Sequence, residues 1–212
     1  TVAAHLMEGH IVLLVDTSPT ALIIPTTLLY FTQYVEDYYQ TPLAGTLTRI
    51  VRLLAIPISQ FLVPLFMLVI MYPSSSLNPF RFLVPEQSGE VSFFVQILLI
   101  EFALEILRLS SLHTPQNLQA SFSIIGGLIL GDLGVSIGLF SANCIFTSVA
   151  SAIANHCVPN PELASAVRIF RWAGLILCGT IGLIGLWIFI FYMIFLLLTT
   201  KTFDKRRSYL WP

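Results

Sequence analysis

Long apolar runs, separated by short polar segments, set the pattern of this chain. Five of them have the length and character of helices in lipid: 53–72, 91–109, 121–140, 142–158 and 172–198. Trp172 to Leu198 holds no charged residue and is the strongest spanning signal. Leu53 to Tyr72 is also uncharged, and Pro57 and Pro64 inside it predict a kinked packing helix. Upstream, the pattern shifts to short β-branched runs. Residues 10–15 and 20–24 predict a β-hairpin turned at Asp16-Thr17-Ser18-Pro19, because Asp and Pro favour turns. Such a hairpin is not stable alone, so it predicts a sheet completed by something upstream of Thr1. The chain therefore reads as the C-terminal piece of a longer protein. Leu28 to Tyr39 mixes tyrosines with Glu36 and Asp37 and predicts an interfacial helix, since aromatic side chains prefer the membrane–water boundary.

Charge alters this picture most between Val91 and Leu109. At 3.6 residues per turn, Glu101, Glu105 and Arg108 fall on one stripe of an otherwise apolar helix. Ionisable groups at membrane depth face protein, each other or water. Two readings stay open: a structural Glu105–Arg108 ion pair, or a water- or ion-lined face. Arg49 and Arg52 before the first run, and Lys201, Lys205, Arg206 and Arg207 after the last, place both ends on the cytoplasmic side. That requires an even number of crossings. The acidic helix is the one to demote to re-entrant or interfacial, which leaves about four spans. Arg168 and Arg171, in a short amphipathic piece from Pro159 to Arg171, then fall outside, against the rule.

The expected fold is thus mainly α: a polytopic helical membrane protein with about four spanning helices and one re-entrant or interfacial acidic helix, preceded by a β-hairpin. The divisions are 1–25, the end of an upstream soluble domain; 26–48, an interfacial helix and linker; and 49–212, the membrane domain. Composition agrees. Of 212 residues, 56% are hydrophobic and only 10% charged, against about 25% charged in soluble domains. A net charge of −1 without a basic stripe argues against nucleic acid. Cys144, Cys157 and Cys178 sit in apolar runs and suggest neither disulfides nor a metal site. No nucleophile elbow, phosphate loop, dinucleotide fingerprint or metal-ligand spacing occurs, so no enzyme, metal or cofactor is expected.

Residues 121–140 are rich in glycine. Gly127/Gly131 and Gly134/Gly138 are small-residue pairs that let helices approach closely. Asp132 lies among them and must be protonated, paired or wet. His156 reads as an interfacial histidine, not a ligand. The polar groups available to an ion path or polar seam are Glu101, Glu105, Arg108, Asp132, Asn143 and Asn155. Glu101 leads, because Arg108 neutralises Glu105, and Asp132 is the alternative.

Several motifs in order carry a resemblance. They are Glu8-Gly9, Asp16-Thr17-Ser18-Pro19, Pro25, Glu36-Asp37-Tyr38-Tyr39, Arg49 with Arg52 and Leu54, Glu101 with Glu105, Leu107 and Arg108, Ile124 to Gly131, Pro159-Asn160, and Tyr209-Leu210 with Pro212. This series resembles the A subunits of spore germinant receptors along essentially the whole chain. Departures include Thr17 where that family prefers glycine, and Asp132 where an uncharged or amide residue is expected. They mark a divergent member, either a receptor subunit or a related sporulation protein of the same superfamily. The resemblance implies an integral protein of the inner spore membrane, oligomeric around a central path for monovalent cations. It also implies a transporter-like B subunit and a lipoprotein C subunit as partners, with ligand sensing mainly in B. The competing readings are a monomeric carrier and a non-conducting scaffold.

Overall fold

A computed structural model describes residues 2–7, 9–18, 21–24, 26–34, 39, 41–72, 84, 91–113 and 124–200. Helix α1 (Val2–Met7) leads into an antiparallel pair, β1 (Ile11–Leu14) and β2 (Ala21–Ile24), in register from Ile11↔Ile24 to Leu14↔Ala21. The expected hairpin forms, with strands slightly shorter than the β-branched runs. At its turn the Ser18 N–H donates to the Val15 carbonyl at 3.2 Å. The Asp16 carboxylate accepts from the Thr17 N–H at 3.0 Å. Thr17 sits at φ 66°, in the left-handed region that suits glycine.

Of the expected helix over 28–39, the described residues form a 3-10 helix, Leu28–Thr32, that stops at Gln33. Thr27 makes no side-chain cap, the turn is built from Leu, Tyr, Phe and Thr, and Gln33 is already extended at ψ 145°. Helix α2 (Pro42–Met71) begins well before Leu53, because Pro42 occupies the first turn, where a missing N–H costs nothing. It continues through Pro57 and Pro64. Arg52 is buried and donates to the Thr32 carbonyl at 2.9 Å, tying the linker to the bundle.

Helix α3 (Phe93–His113) carries the acidic stripe. Helix α4 (Ile124–Ser136) contains a π turn over Ile129–Leu133, at Gly131 and Asp132. Helix α5 (Ala142–His156) starts at Ser141, whose hydroxyl accepts from the Cys144 N–H. Helix α6 (Pro161–Ile181) starts at Asn160, whose side chain accepts from the N–H groups of Glu162 and Leu163. Helix α7 (Leu183–Thr199) completes the bundle.

Two expectations are corrected here. The piece from Pro159 to Arg171 is not a separate amphipathic segment. The Asn160 cap and Pro161 start a full helix there, and Arg168 and Arg171 lie well inside it. Nor is 172–198 one span. Gly182, at φ 69° and ψ −137°, ends α6 and reverses the chain. Phe189 of α7 then packs on Gly174 of α6, and a Cβ at Gly185 would collide with the Leu177 carbonyl. Hydropathy alone could not register this turn, because no charged residue lies between Trp172 and Leu198 to interrupt the run.

Side-chain contacts give the helix directions. Pro64 meets Gly174 and Tyr72 meets Gly182, so α2 and α6 run parallel. Phe94 meets Gly179 and Glu101 meets Arg171, so α3 runs against α6. Gln96 bonds Ser141, setting α5 alongside α3, and Gly126 of α4 begins at Leu107. From α2 to α7 the helices therefore alternate in direction. The shared core holds Val63, Phe66 and Met67 of α2, Ile97 and Ile100 of α3, Cys144 of α5 and Leu175 of α6. By length and composition, α2 and α6 are long and apolar enough to cross a membrane, whereas α4 and α7 are shorter apolar helices.

Candidate functional site: a buried ionic seam

Helices α3, α5 and α6 meet along a seam of opposite charges. One turn separates Glu101 from Glu105 on α3, and three positions separate Arg168 from Arg171 on α6, so the two stripes face each other in step. Arg171 Nη2 lies 2.9 Å from Glu101 Oε2. Both residues are sealed, at 3% and 1% exposure. Arg171 Nη1 donates to the Ser151 hydroxyl at 2.7 Å, and that hydroxyl donates to the Ser59 carbonyl at 2.6 Å. Ser148 lies beside the Glu101 carboxylate. One chain of polar contacts thus links α3, α6, α5 and α2. Small side chains on α5 make it possible, since Ser148 and Ser151 are fully buried where a larger residue would hold the helices apart.

Nearer the ends of α3 and α6, Glu105 is shared. Its carboxylate lies 3.5 Å from Arg168 Nε and 3.9 Å from Arg108 Nη1. Arg168 also donates to the Ser165 hydroxyl at 2.8 Å. Both glutamates are therefore held by guanidiniums, an arrangement that neutralises charge instead of moving protons. A cavity of about 380 Å³ opens between α3, α4, α5 and α6, and Glu105, Arg108, Asn155, Arg168 and Arg171 line it. Asn155 is 5% exposed, and its Oδ1 accepts no hydrogen bond among the described residues.

Of the residues singled out from sequence, the structure brings Glu101, Glu105, Arg108 and Asn155 to this region. Asp132 stands apart, exposed on α4. Asn143 is half-buried near the start of α5, where its carbonyl accepts from Thr147. Gly9 follows α1 at φ 85°, and Asp16 makes the hairpin turn. Glu8, Pro19, Pro25, Glu36 and Asp37 lie outside the described residues. Sequence reasoning missed Arg171 as the partner of Glu101, because the pairing depends on which face α6 turns toward α3. It also passed over Gln96, which is 1% exposed. Its side chain donates to the Val91 carbonyl at 2.8 Å and accepts from the Ser141 N–H at 2.9 Å. A lone amide in an apolar run was the available sign. Among the described residues, no group of three or more His, Cys, Asp or Glu side chains gathers as a metal site.

The chain is 31% identical over 210 residues to Stage V sporulation protein AF of Bacillus subtilis (strain 168), covering 99% of this chain and 42% of that protein. It is 29% identical over 216 residues to spore germination protein GerQA of Bacillus cereus, covering 100% of this chain and 42% of the relative. An uncharacterized membrane protein of Bacillus subtilis (strain 168), YfkQ, is 28% identical over 189 residues, covering 88% and 37%. The chain spans about two fifths of the length of these curated relatives. No solved structure matches it. The family model described as Bacillus/Clostridium GerA spore germination protein matches residues 1–212 throughout, and the chain belongs to that family.

Proposed function

We propose that this chain is the membrane part of a spore germinant receptor subunit, and that several copies surround a conduit for monovalent cations in the inner spore membrane. Residues 1–25 would close the sheet of an upstream soluble domain. A transporter-like B subunit and a lipoprotein C subunit would complete the receptor.

The observation that carries the conduit reading is the state of Asp132. Glu101 was the leading residue for an ion path on sequence, but Arg171 now holds it in a sealed pair. Asp132 is exposed on an apolar helix, beside a π turn, and π turns gather at functional positions. Leu128, Ile129 and Val135, three or four positions from Asp132 and so on its face of the helix, are exposed too, so that surface of α4 is open to a neighbour. Copies ringed through α4 would form a ring of carboxylates, which selects cations.

The alternating directions of α2 to α7 support a matching topology. They gather Arg49, Arg52, Arg108 and Arg168 at one end of the bundle, the end at which α7 closes at Thr199. With that end cytoplasmic, the conflict over Arg168 and Arg171 disappears. The reversal at Gly182 supplies the extra pass. The carrier reading, which rested on helix breaks at Pro57 and Pro64, loses support because α2 is continuous.

The test uses full-length complexes reconstituted in liposomes. Asp132→Asn lowers monovalent-cation flux while oligomers persist. Unchanged flux with intact oligomers refutes the conduit role of α4. It would favour the scaffold reading, for which the four-helix polar link through Ser151 is the supporting feature.

A further inference from the structure

The cavity between α3, α4, α5 and α6 is unbalanced in charge. From α3 come Glu105 and Arg108, with Glu101 behind them on Arg171; from α6 come Arg168 and Arg171; from α5 comes His156. Among the described residues, three guanidiniums thus stand against two carboxylates. Asp132 of α4 is not among the residues lining the cavity, so it supplies no compensating charge. Leu104, Leu130 and Ile145 wall the other side of the cavity.

Two further observations indicate what would fill it. Arg168 Nη1 and Arg171 Nε are buried and donate no hydrogen bond among the described residues. Asn155 Oδ1 is buried in the same lining and accepts none. Buried polar atoms of this kind ordinarily have partners. The site therefore lacks an anion for its guanidiniums and a donor for its amide oxygen, and it offers an apolar wall beside both. At about 380 Å³ the cavity lies in the size range of small-molecule sites.

We infer that this cavity binds a singly charged phosphodiester whose head carries a hydroxyl group, as in the glycerol-phosphate head of an anionic lipid. The phosphate oxygens accept from Arg168 and Arg171, and planar guanidiniums suit phosphate for this purpose. A head-group hydroxyl donates to Asn155 Oδ1. Acyl carbons lie against Leu104 and Leu130. The site stands at the basic end of the bundle, the level at which head groups would lie. Glycerophosphoglycerol, the deacylated head of phosphatidylglycerol, offers the same phosphodiester chemistry without the acyl chains.

The experiment uses delipidated full-length protein in neutral detergent. Thermal unfolding is followed with added phosphatidylglycerol, phosphatidylcholine or glycerophosphoglycerol, and native mass spectrometry counts retained lipid. Phosphatidylglycerol raises the unfolding midpoint and remains bound after mild activation. Phosphatidylcholine, with no net charge and no head-group donor, does neither. If glycerophosphoglycerol matches phosphatidylglycerol at equal concentration, the site stands and its ligand is soluble. Arg168→Gln and Asn155→Leu each weaken phosphatidylglycerol binding about tenfold or more. Arg168→Lys retains the charge and recovers part of it. Equal effects of the two lipids on wild-type protein overturn the inference, even if no variant folds. So does undiminished phosphatidylglycerol binding in both folded variants. Cation flux plays no part in either readout, so the conduit reading can fail independently.

Discussion

Breaking the Glu101–Arg171 pair should be far more damaging than removing it whole. At 2.9 Å and an effective dielectric of about 20, the attraction is about 6 kcal/mol. Desolvating two fully buried ions offsets much of this, so the pair's net worth is small. Removing one partner leaves the other buried and unpaired, at a cost of about 3–5 kcal/mol. Arg171→Met strands Glu101 and also deprives Ser151 of its donor. Glu101→Gln keeps an acceptor near Arg171 but strands its charge. The double variant Glu101→Gln/Arg171→Met leaves no ion behind and should recover at least about 2 kcal/mol relative to the sum of the singles. The assay is thermal unfolding of full-length protein in detergent, followed by loss of the monodisperse peak in size exclusion. For a domain of this size, Arg171→Met should lower the midpoint by about 6–20 °C. Strictly additive effects, or a shift below about 2 °C for Arg171→Met, would refute the reasoning.

Three further outcomes can be checked on the same protein. Thr17→Gly relieves a β-branched residue at φ 66° and stabilises the hairpin by about 0.5–1 kcal/mol, the left-handed strain less the extra chain entropy of glycine; slower proteolytic cutting near the turn is the expected readout, and faster cutting contradicts it. Gly182→Ala forces a Cβ into an unsuitable backbone region, 2.7 Å from the Tyr72 hydroxyl, and costs about 1–3 kcal/mol; an unchanged unfolding midpoint rules out the sharp reversal. In intact cells, an impermeant maleimide should spare the native Cys157 and a Ser208→Cys variant alike, while labelling Tyr72→Cys in a protein otherwise free of cysteine; labelling at Ser208→Cys inverts the topology.

The features legible in sequence were those with local causes. The hairpin was readable because two β-branched runs flank turn chemistry at Asp16. The Glu105–Arg108 contact was readable because three positions on a helix are neighbours. The pairing of Glu101 with Arg171 depends on which face α6 turns toward α3, and no local pattern contains that. The reversal at Gly182 was hidden for a different reason: a glycine within uniform hydropathy gives no change of polarity to mark an end. The short turn at Leu28 was misread because tyrosines suggest an interface, while the helix-forming tendency of those aromatic residues is weak.

The distance between Glu101 and Arg171 along the chain has a consequence for biosynthesis. They are roughly 70 positions apart, and translation at about 5–20 residues per second separates their appearance by roughly 4 to 14 s. During that interval α3 exists without its counter-ion. A carboxylate at that depth resists hydrocarbon, so α3 has reason to linger at the aqueous margin or beside the insertion machinery. Arrival of α6 neutralises it, and the turn at Gly182 then lets α7 close over the result. The hairpin of α6 and α7 is thus the one that seats an earlier helix. Assembly of the bundle waits for both to be made.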